Sequence, residues 1–181
     1  MENKQELKIT MIESPTEKDW LEVKRRALVT MGLNPKNGPD FSWKKRILQA
    51  EHSPIRRLFF SFYIENIPSW VATHLCRHIH AQPYVKSQRN DRQDNYDRNK
   101  APQDAPVDMI WDMNAEELMT VAHKRLCNQA SLETRKVVRE ICRLVLDKYP
   151  EFEGLLVPQC EYRNGKCTEM FPCEKAKTFN K

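Results

Sequence analysis

The stretch Leu58-Phe59-Phe60-Ser61-Phe62-Tyr63-Ile64 is the most strongly patterned part of this chain. Aromatic and β-branched residues are enriched in strands, and they occupy most positions of this run. The run therefore predicts a strand that is buried on at least one face. Helical patterns precede and follow it, and we interpret the chain as an α/β (α+β) protein with a mixed central sheet flanked by helices.

The sequence before this strand predicts a short strand over residues 7–11 and two helices over residues 16–31 and 42–50. Thr16 and Ser42, the first residue of each helix, are suitable N-caps. Between the helices, residues 32–40 carry prolines and glycines and predict a turn-rich connector. After the strand, Pro68 suits the first turn of a helix over residues 69–77.

The sequence beyond residue 90 divides into a polar segment, a helical segment and a tail. Residues 90–106 contain almost no large apolar residue and predict a loop or an extended crossing. Asn114, with Glu117 three residues later, resembles a capping box that starts a helix. An apolar stripe follows at helical spacing, and residues 128–131 either interrupt it, giving two helices, or lie within one. The stripe consists of Leu118, Met119, Ala122, Leu126, Val137, Val138, Ile141, Leu144 and Val145.

The composition is that of one globular domain over residues 1–181, with 40% hydrophobic and 30% charged residues. We found no apolar run of membrane-spanning length, and the first eight residues are polar, which favours a cytoplasmic protein. The net charge of +5 favours anionic ligands without requiring nucleic acid. With only four glycines the sequence lacks both common glycine-rich phosphate motifs. Arginines and helix N-termini would have to hold any nucleotide phosphate.

The six cysteines do not predict a metal site. The first three fall in helical patterns, where a buried free thiol is the usual situation. The last three are spaced C-x6-C-x5-C without a nearby histidine, which is a poor arrangement for zinc. In a cytosolic protein a disulfide is not expected either. The cysteines are Cys76, Cys127, Cys142, Cys160, Cys167 and Cys173.

The segment from Arg77 to Arg89 reads Arg-His-Ile-His-Ala-Gln-Pro-Tyr-Val-Lys-Ser-Gln-Arg. Three basic side chains and two histidines surround Ser87, directly after an apolar helical run. Such a cluster is costly to form unless anions bind to it, and nucleotide phosphates are suitable anions. With its flanking segments it resembles the signature of flavin-dependent thymidylate synthases, Arg-His-Arg followed by seven residues and a serine, with Ile79 at the third position here.

The resemblance covers about residues 51–173 and includes five further stretches. The run from Glu51 through Pro54 resembles the family's H-x-[ST]-P, and residues 98–102 resemble its A-R-x-x-L-P segment. Met113-Asn114-Ala115 and Lys124-Arg125-Leu126-Cys127 are similar to its N-A-R-x-L and R-L-C segments. Residues 158–181 resemble the cysteine-bearing tail of many members, which attributes these cysteines to packing.

The resemblance implies a ThyX-like fold and a set of site residues. FAD is the implied cofactor, with NADPH and methylenetetrahydrofolate as co-substrates and dUMP as substrate. The implied cofactor-binding positions are Ser53, Arg77, His78, Ile79 and Asn114. The implied substrate-binding residues are His74, Arg77, Ser87, Gln88, Arg89, Arg98 and Arg125. A homotetramer with active sites between subunits is implied as well.

Five features depart from the family pattern. Ile79 replaces an arginine that meets flavin phosphate, Glu116 replaces the arginine of N-A-R, and Val85 replaces an acidic or amide residue. His74 stands where a glutamine is usual. Only eight residues separate Arg89 from Arg98, where typical members have several dozen. The loss of an arginine at Ile79 and the gain of a carboxylate at Glu116 both disfavour the binding of a diphosphate.

The implied reaction is the reductive methylation of dUMP to dTMP. Negative charge builds on the pyrimidine ring as C5 attacks, and a cation near O2 and N3 would stabilise it. Arg125 is our candidate for this catalytic role, because a guanidinium stays charged and can bind a ring edge in a bidentate manner. Ser87 would position the substrate, unlike the cysteine nucleophile of classical thymidylate synthases.

Two alternatives remain open at this point. A divergent relative could act on another pyrimidine nucleotide, which the changes at Ile79, Val85 and Glu116 permit. A non-catalytic nucleotide- or RNA-binding protein could use the basic stretch 86–100, with Tyr84 and Tyr96 for stacking.

Overall fold

The stretch around Phe60 forms the long strand of a four-stranded sheet. This appears in a computed structural model of the chain, which describes residues 6–92 and 96–174. The strands are β1 (Lys8–Glu13), β2 (Phe59–Pro68), β3 (Gln82–Val85) and β4 (Pro106–Asn114). The helices are α1 (Glu17–Val29), α2 (Phe41–Gln49), α3 (Ser69–Leu75), α4 (Ala115–Arg125), α5 (Leu132–Lys148) and α6 (Gln159–Tyr162). Short 3₁₀ turns lie at Ser53–Arg57, Asn90–Arg92 and Pro150–Phe152.

The sheet has the order β1-β2-β4-β3, and each of these three described pairings is antiparallel. The α/β fold class is therefore confirmed, while the prediction of a mixed sheet is wrong for the described strands. Burial alternates along β4, where Val107, Met109, Trp111 and Met113 are buried and their neighbours are not. Antiparallel strands can face solvent on one side, whereas parallel strands are normally covered on both, so this alternation suits an antiparallel sheet.

Strand β2 carries the centre of the core. Phe60, Phe62 and Ile64 are fully buried on one face, and the ring of Phe60 meets the rings of Tyr149 and Phe152 edge-on. Edge-to-face contacts of this kind add to the stabilisation from burial. The predicted strand is thus confirmed, and it attaches the sheet to the segment that follows α5.

The predicted cap of α1 is confirmed, whereas the predicted cap of α2 is wrong. Thr16 caps α1 in a capping box with Asp19, as its position predicted. Asp40, not Ser42, caps α2: its Oδ1 accepts a hydrogen bond of 2.7 Å from the backbone N–H of Trp43. The helix begins one residue earlier than predicted, because an aspartate is as good an N-cap as a serine.

Three elements differ from the predictions in ways that shape the site. Strands β3 and β4 were not predicted, although the buried residues of β4 recur at every second position. Helix α3 ends at Leu75, so Arg77 and His78 lie in the turn after it and not within it. The interruption of the long helical segment is confirmed, since residues 126–131 separate α4 from α5.

Parts of three predicted features fall on residues that the structure does not describe: the polar start at 1–5, the loop at 93–95 and the tail at 175–181.

In the described part of the chain no helix is both long and apolar enough to cross a membrane. Cys76, Cys127, Cys142, Cys160 and Cys167 are free thiols, and burial raises the pKa of Cys142 to about 12. Across residues 6–92 and 96–174, no three His, Cys, Asp or Glu side chains form a group that could hold a metal ion.

His123 attaches α4 to the chain segment that leads into the tail. Its Nε2 lies 3.0 Å from the carbonyl oxygen of Leu155, and its ring stacks on Tyr162 at 4.3 Å. Because a carbonyl only accepts, Nε2 carries the proton. Burial lowers the pKa of His123, since charging a buried imidazole is costly.

We expect the free energy of unfolding to decrease as the pH falls from 7 to 5. The unfolded chain binds a proton at His123 near the ordinary pKa of about 6.5, and the folded chain does so only at lower pH. The variant His123→Gln keeps a donor near Leu155 but does not titrate, so it should show a shallower decrease. Urea unfolding at pH 7, 6 and 5 measures this, with His80→Gln, an exposed histidine, as the control. A wild-type slope in His123→Gln would contradict the assignment.

Candidate active site

A basic cleft opens where α3 and α4 both end. The turn after α3 contributes Arg77 and His78, and the last turn of α4 contributes Lys124 and Arg125. The cleft has a volume of about 410 Å³. The remaining lining comes from the connection between α4 and α5 and from the tail: Cys127, Gln129, Ala130 and Glu169.

The charges in this cleft favour an anion. Burial and the neighbouring Arg77 guanidinium both lower the pKa of Arg125, because each disfavours its charged form. Arg77 and Lys124 are exposed, and Arg125 is half-buried. Glu169 is the one acidic side chain among the described lining residues. Three cations against one carboxylate leave positive charge that a phosphate or an electron-rich ring would neutralise.

Arg125 is fixed by two acceptors. Its Nε donates a hydrogen bond of 2.9 Å to Nε2 of His78, and its Nη2 donates one of 2.8 Å to the carbonyl oxygen of His74. On its other side the ring of His78 meets the carboxylate of Glu117, with Nδ1 at 3.0 Å from Oε1. Trp111 packs edge-on against the same ring at 6.0 Å. The guanidinium is therefore part of a connected polar network at the wall of the cleft.

The backbone of His74 contacts Arg125, whereas its imidazole ring contacts other residues. Its Nδ1 is 3.4 Å from the hydroxyl of Thr134, at the start of α5, and the ring of Trp70 contacts it edge-on at 5.3 Å. The prediction that its side chain contacts substrate stays a prediction.

The predicted phosphate residues form a second cluster, beyond β3. Arg89 makes a bidentate ion pair with Asp91 at 2.6 and 2.8 Å, which lowers the pKa of that aspartate. The backbone N–H of Arg89 donates to the hydroxyl of Ser87 at 3.3 Å, and that of Arg98 donates to Asn90 at 3.1 Å. Within the described chain, none of Ser87, Gln88, Arg89 or Arg98 lines the basic cleft. The chain thus brings Arg77 and Arg125 together and leaves this second cluster apart from them.

The predicted cofactor positions differ in how accessible they are. Ser53 is exposed at the start of a 3₁₀ turn, and the side chain of Ile79 is 80% exposed. Asn114 caps α4, since its Oδ1 accepts from the backbone N–H of Glu117 at 3.0 Å. His78 is buried, and both its ring nitrogens are engaged within the chain. A flavin would therefore meet Ser53, Arg77 and Ile79 more readily than His78.

Glu116, which departs from the family pattern, is paired with Arg56. Nε and Nη2 of Arg56 donate to the two carboxylate oxygens at 2.6 and 3.1 Å. The pair offsets the negative charge that would otherwise repel a diphosphate. Arg56 was not singled out from the sequence, because nothing local distinguishes it from a surface arginine.

Two more residues near the site were missed. Glu117 was interpreted only as part of a helix cap. Arg135, in the first turn of α5, donates from Nη1 to Asn128 at 2.8 Å and keeps a buried Nε without a partner. A half-buried arginine of this kind has no recognisable signal in a single sequence.

A second, larger cavity lies between α5, α6 and the tail, with a volume of about 510 Å³. Five of the six cysteines line it, together with several leucines. Arg143, one of its cations, is already bonded to Glu140 and Asp147. The lining of this cavity carries two cations, Arg139 and Arg143, against three acidic side chains, Asp147, Glu161 and Glu169, so the basic cleft is the better candidate for an anionic ligand.

Comparison with known proteins agrees with the resemblance. Residues 91–151 match the family model described as thymidylate synthase complementing protein (Thy1). No curated protein matches the chain. The matched range contains Arg98, Asn114 and Arg125, whereas Ser53 and the stretch from Arg77 to Arg89 lie before it. The match over residues 91–151 is consistent with the predicted family and supports thymidylate synthase-type function in general.

Proposed function

We propose that this chain, whose residues 91–151 match the thymidylate synthase complementing protein family, is a flavin-dependent thymidylate synthase. Its reaction would be the reductive methylation of dUMP to dTMP with methylenetetrahydrofolate and NADPH. The observation that carries this proposal is the fixed guanidinium of Arg125 in a cleft shared with Arg77 and Lys124.

Arg125 would act on the pyrimidine ring. Negative charge on the ring oxygens and N3 makes C5 a better nucleophile toward the one-carbon unit, and a guanidinium beside them would stabilise that charge. A guanidinium held by protein acceptors does not need to reorganise when this charge appears, which is what makes preorganised stabilisation effective. The hydrogen at C5 leaves as a proton.

Arg77 and Lys124 would bind anionic groups at the mouth of the same cleft, because both are exposed cations beside Arg125. The second cluster, Ser87 to Arg89, would hold the phosphate and sugar of dUMP. Since it lies apart from the cleft within one subunit, the proposal includes a homotetramer in which two subunits complete each site. Exposed apolar side chains after α1 and at the start of α2 provide surface for such contacts: Val29, Met31, Leu33 and Phe41.

The chain offers suitable groups for FAD. Arg77 is an exposed cation, Ser53 an exposed hydroxyl, and Ile79 an exposed apolar surface. When bound and reduced, the flavin would supply the hydride that completes the methyl group. The loss of an arginine at Ile79 predicts weaker binding of the diphosphate, partly offset by the pairing of Glu116 with Arg56.

The proposal predicts tritium release from 5-tritiated dUMP when FAD, NADPH and methylenetetrahydrofolate are all present. Omitting the folate should reduce release to background, and omitting the flavin should prevent continued turnover, because the hydride that completes the methyl group is then missing. Folded protein with bound flavin that releases no tritium would contradict the proposal. Parallel turnover of dCMP would then identify a relative that acts on another pyrimidine.

A further inference from the structure

We propose that Glu117 is a positioning residue that fixes the tautomer of His78 and, through it, the orientation of Arg125. The juxtaposition of a buried carboxylate, a buried imidazole and a half-buried guanidinium carries this inference. The inference rests on the proposed function in one respect only, which is the identity of the ligand that Arg125 contacts in the cleft.

The first step concerns the proton on His78. A guanidinium has five N–H donors and no acceptor, so the 2.9 Å contact requires Nε2 of His78 to accept from Arg125. Nε2 therefore carries no proton. The imidazole is neutral, and its single proton lies on Nδ1, since a doubly protonated ring could not accept this bond.

The second step concerns the partner of that proton. Nδ1 lies 3.0 Å from Oε1 of Glu117, and the side chains of His78 and Glu117 are only 8% and 5% exposed. A buried carboxylate is costly without donors, and the Nδ1–H group supplies one. Glu117 also lies in the first turn of α4, where the helix dipole favours a negative charge. The carboxylate thus accepts, and it holds the proton on Nδ1.

The third step concerns the guanidinium. Nε of Arg125 is directed at His78 and Nη2 at the carbonyl oxygen of His74, which fixes the plane of the group. If the proton moved to Nε2 of His78, two N–H groups would face each other and Arg125 would turn away. The carboxylate therefore acts on Arg125 through the ring, without contacting a ligand itself.

The tautomer is measured directly by long-range ¹H–¹⁵N spectra of labelled protein at pH 8, with His78 assigned from the variant His78→Asn. We expect a protonated Nδ1 and an unprotonated Nε2 in the wild type. Glu117→Gln retains a side-chain oxygen acceptor and should keep this tautomer, while Glu117→Leu should lose it. Glu116→Gln, which removes the adjacent carboxylate, should leave the His78 signals unchanged. A wild-type His78 protonated on Nε2 would overturn the proposal.

The same variants test the consequence for ligand binding, measured as the dissociation constant of dUMP. Hydrogen bonds to charged groups predict that Glu117→Leu weakens binding by roughly 10- to 100-fold, whereas Glu117→Gln stays within about fivefold. Circular dichroism shows whether each variant is folded. Unchanged affinity in folded Glu117→Leu would overturn the positioning role. If the wild type does not bind dUMP at all, the proposed function fails, yet the His78 spectra still decide the role of Glu117.

Discussion

Replacing Arg125 with alanine is expected to lower tritium release from 5-tritiated dUMP by about 10³-fold, which corresponds to roughly 4 kcal/mol of transition-state stabilisation. The change removes the fixed cation that faces the developing charge on the pyrimidine. It also leaves Nε2 of His78 and the carbonyl oxygen of His74 without their donor. Most of the loss should appear in kcat, because the charge that Arg125 stabilises arises only as C5 reacts.

Two further variants make this result specific. Arg125→Lys keeps the charge but cannot form the fork that reaches both His78 and His74, so we expect a partial loss. Arg26→Ala is the matched control: Arg26 is an exposed arginine in the last turn of α1, paired with Glu22, and its truncation should leave turnover unchanged. If Arg125→Ala is folded and turns over within threefold of the wild type, the catalytic assignment is wrong.

The fold was predictable where the sequence pattern is regular. Strand β2 and helices α1, α4 and α5 have long periodic stretches, and each was predicted within a few residues. Strand β4 was missed although its buried residues alternate: the predicted loop ended at Pro106, and the residues from there to Asn114 were assigned to no element. The direction of pairing could not be predicted at all, because it depends on which strands become neighbours in space.

Of the residues in the candidate site, only the positively charged ones could be predicted from the sequence. The resemblance to the family's motifs singled out both Arg77 and Arg125, and the structure brings them to one cleft. The role of Glu117 could not be predicted, because an acid three residues after Asn114 is fully explained as part of a capping box. In the structure only half of that box forms: Asn114 accepts from the backbone of Glu117, while the carboxylate turns to His78. Tertiary contact, not local sequence, decides that rotamer.

Replacing Phe60 with alanine is expected to lower the free energy of unfolding by roughly 3–5 kcal/mol. Phe60 is fully buried, and its ring contacts those of Phe62, Tyr149 and Phe152. Alanine would leave a cavity between the sheet and the segment after α5, and neighbouring rings are too large to fill it by small shifts. Urea or guanidinium unfolding, followed by circular dichroism, measures the loss.

The adjacent Phe59 provides the control, because successive residues of a strand point to opposite faces. Its side chain is 36% exposed, so Phe59→Ala should cost less than about 1 kcal/mol, although the same atoms are removed. A large difference between the two variants would show that the stretch is buried mainly on one face, as an antiparallel sheet with one covered side requires. Equal losses would mean that both faces of β2 are covered, and the assignment of its core-facing side would be wrong.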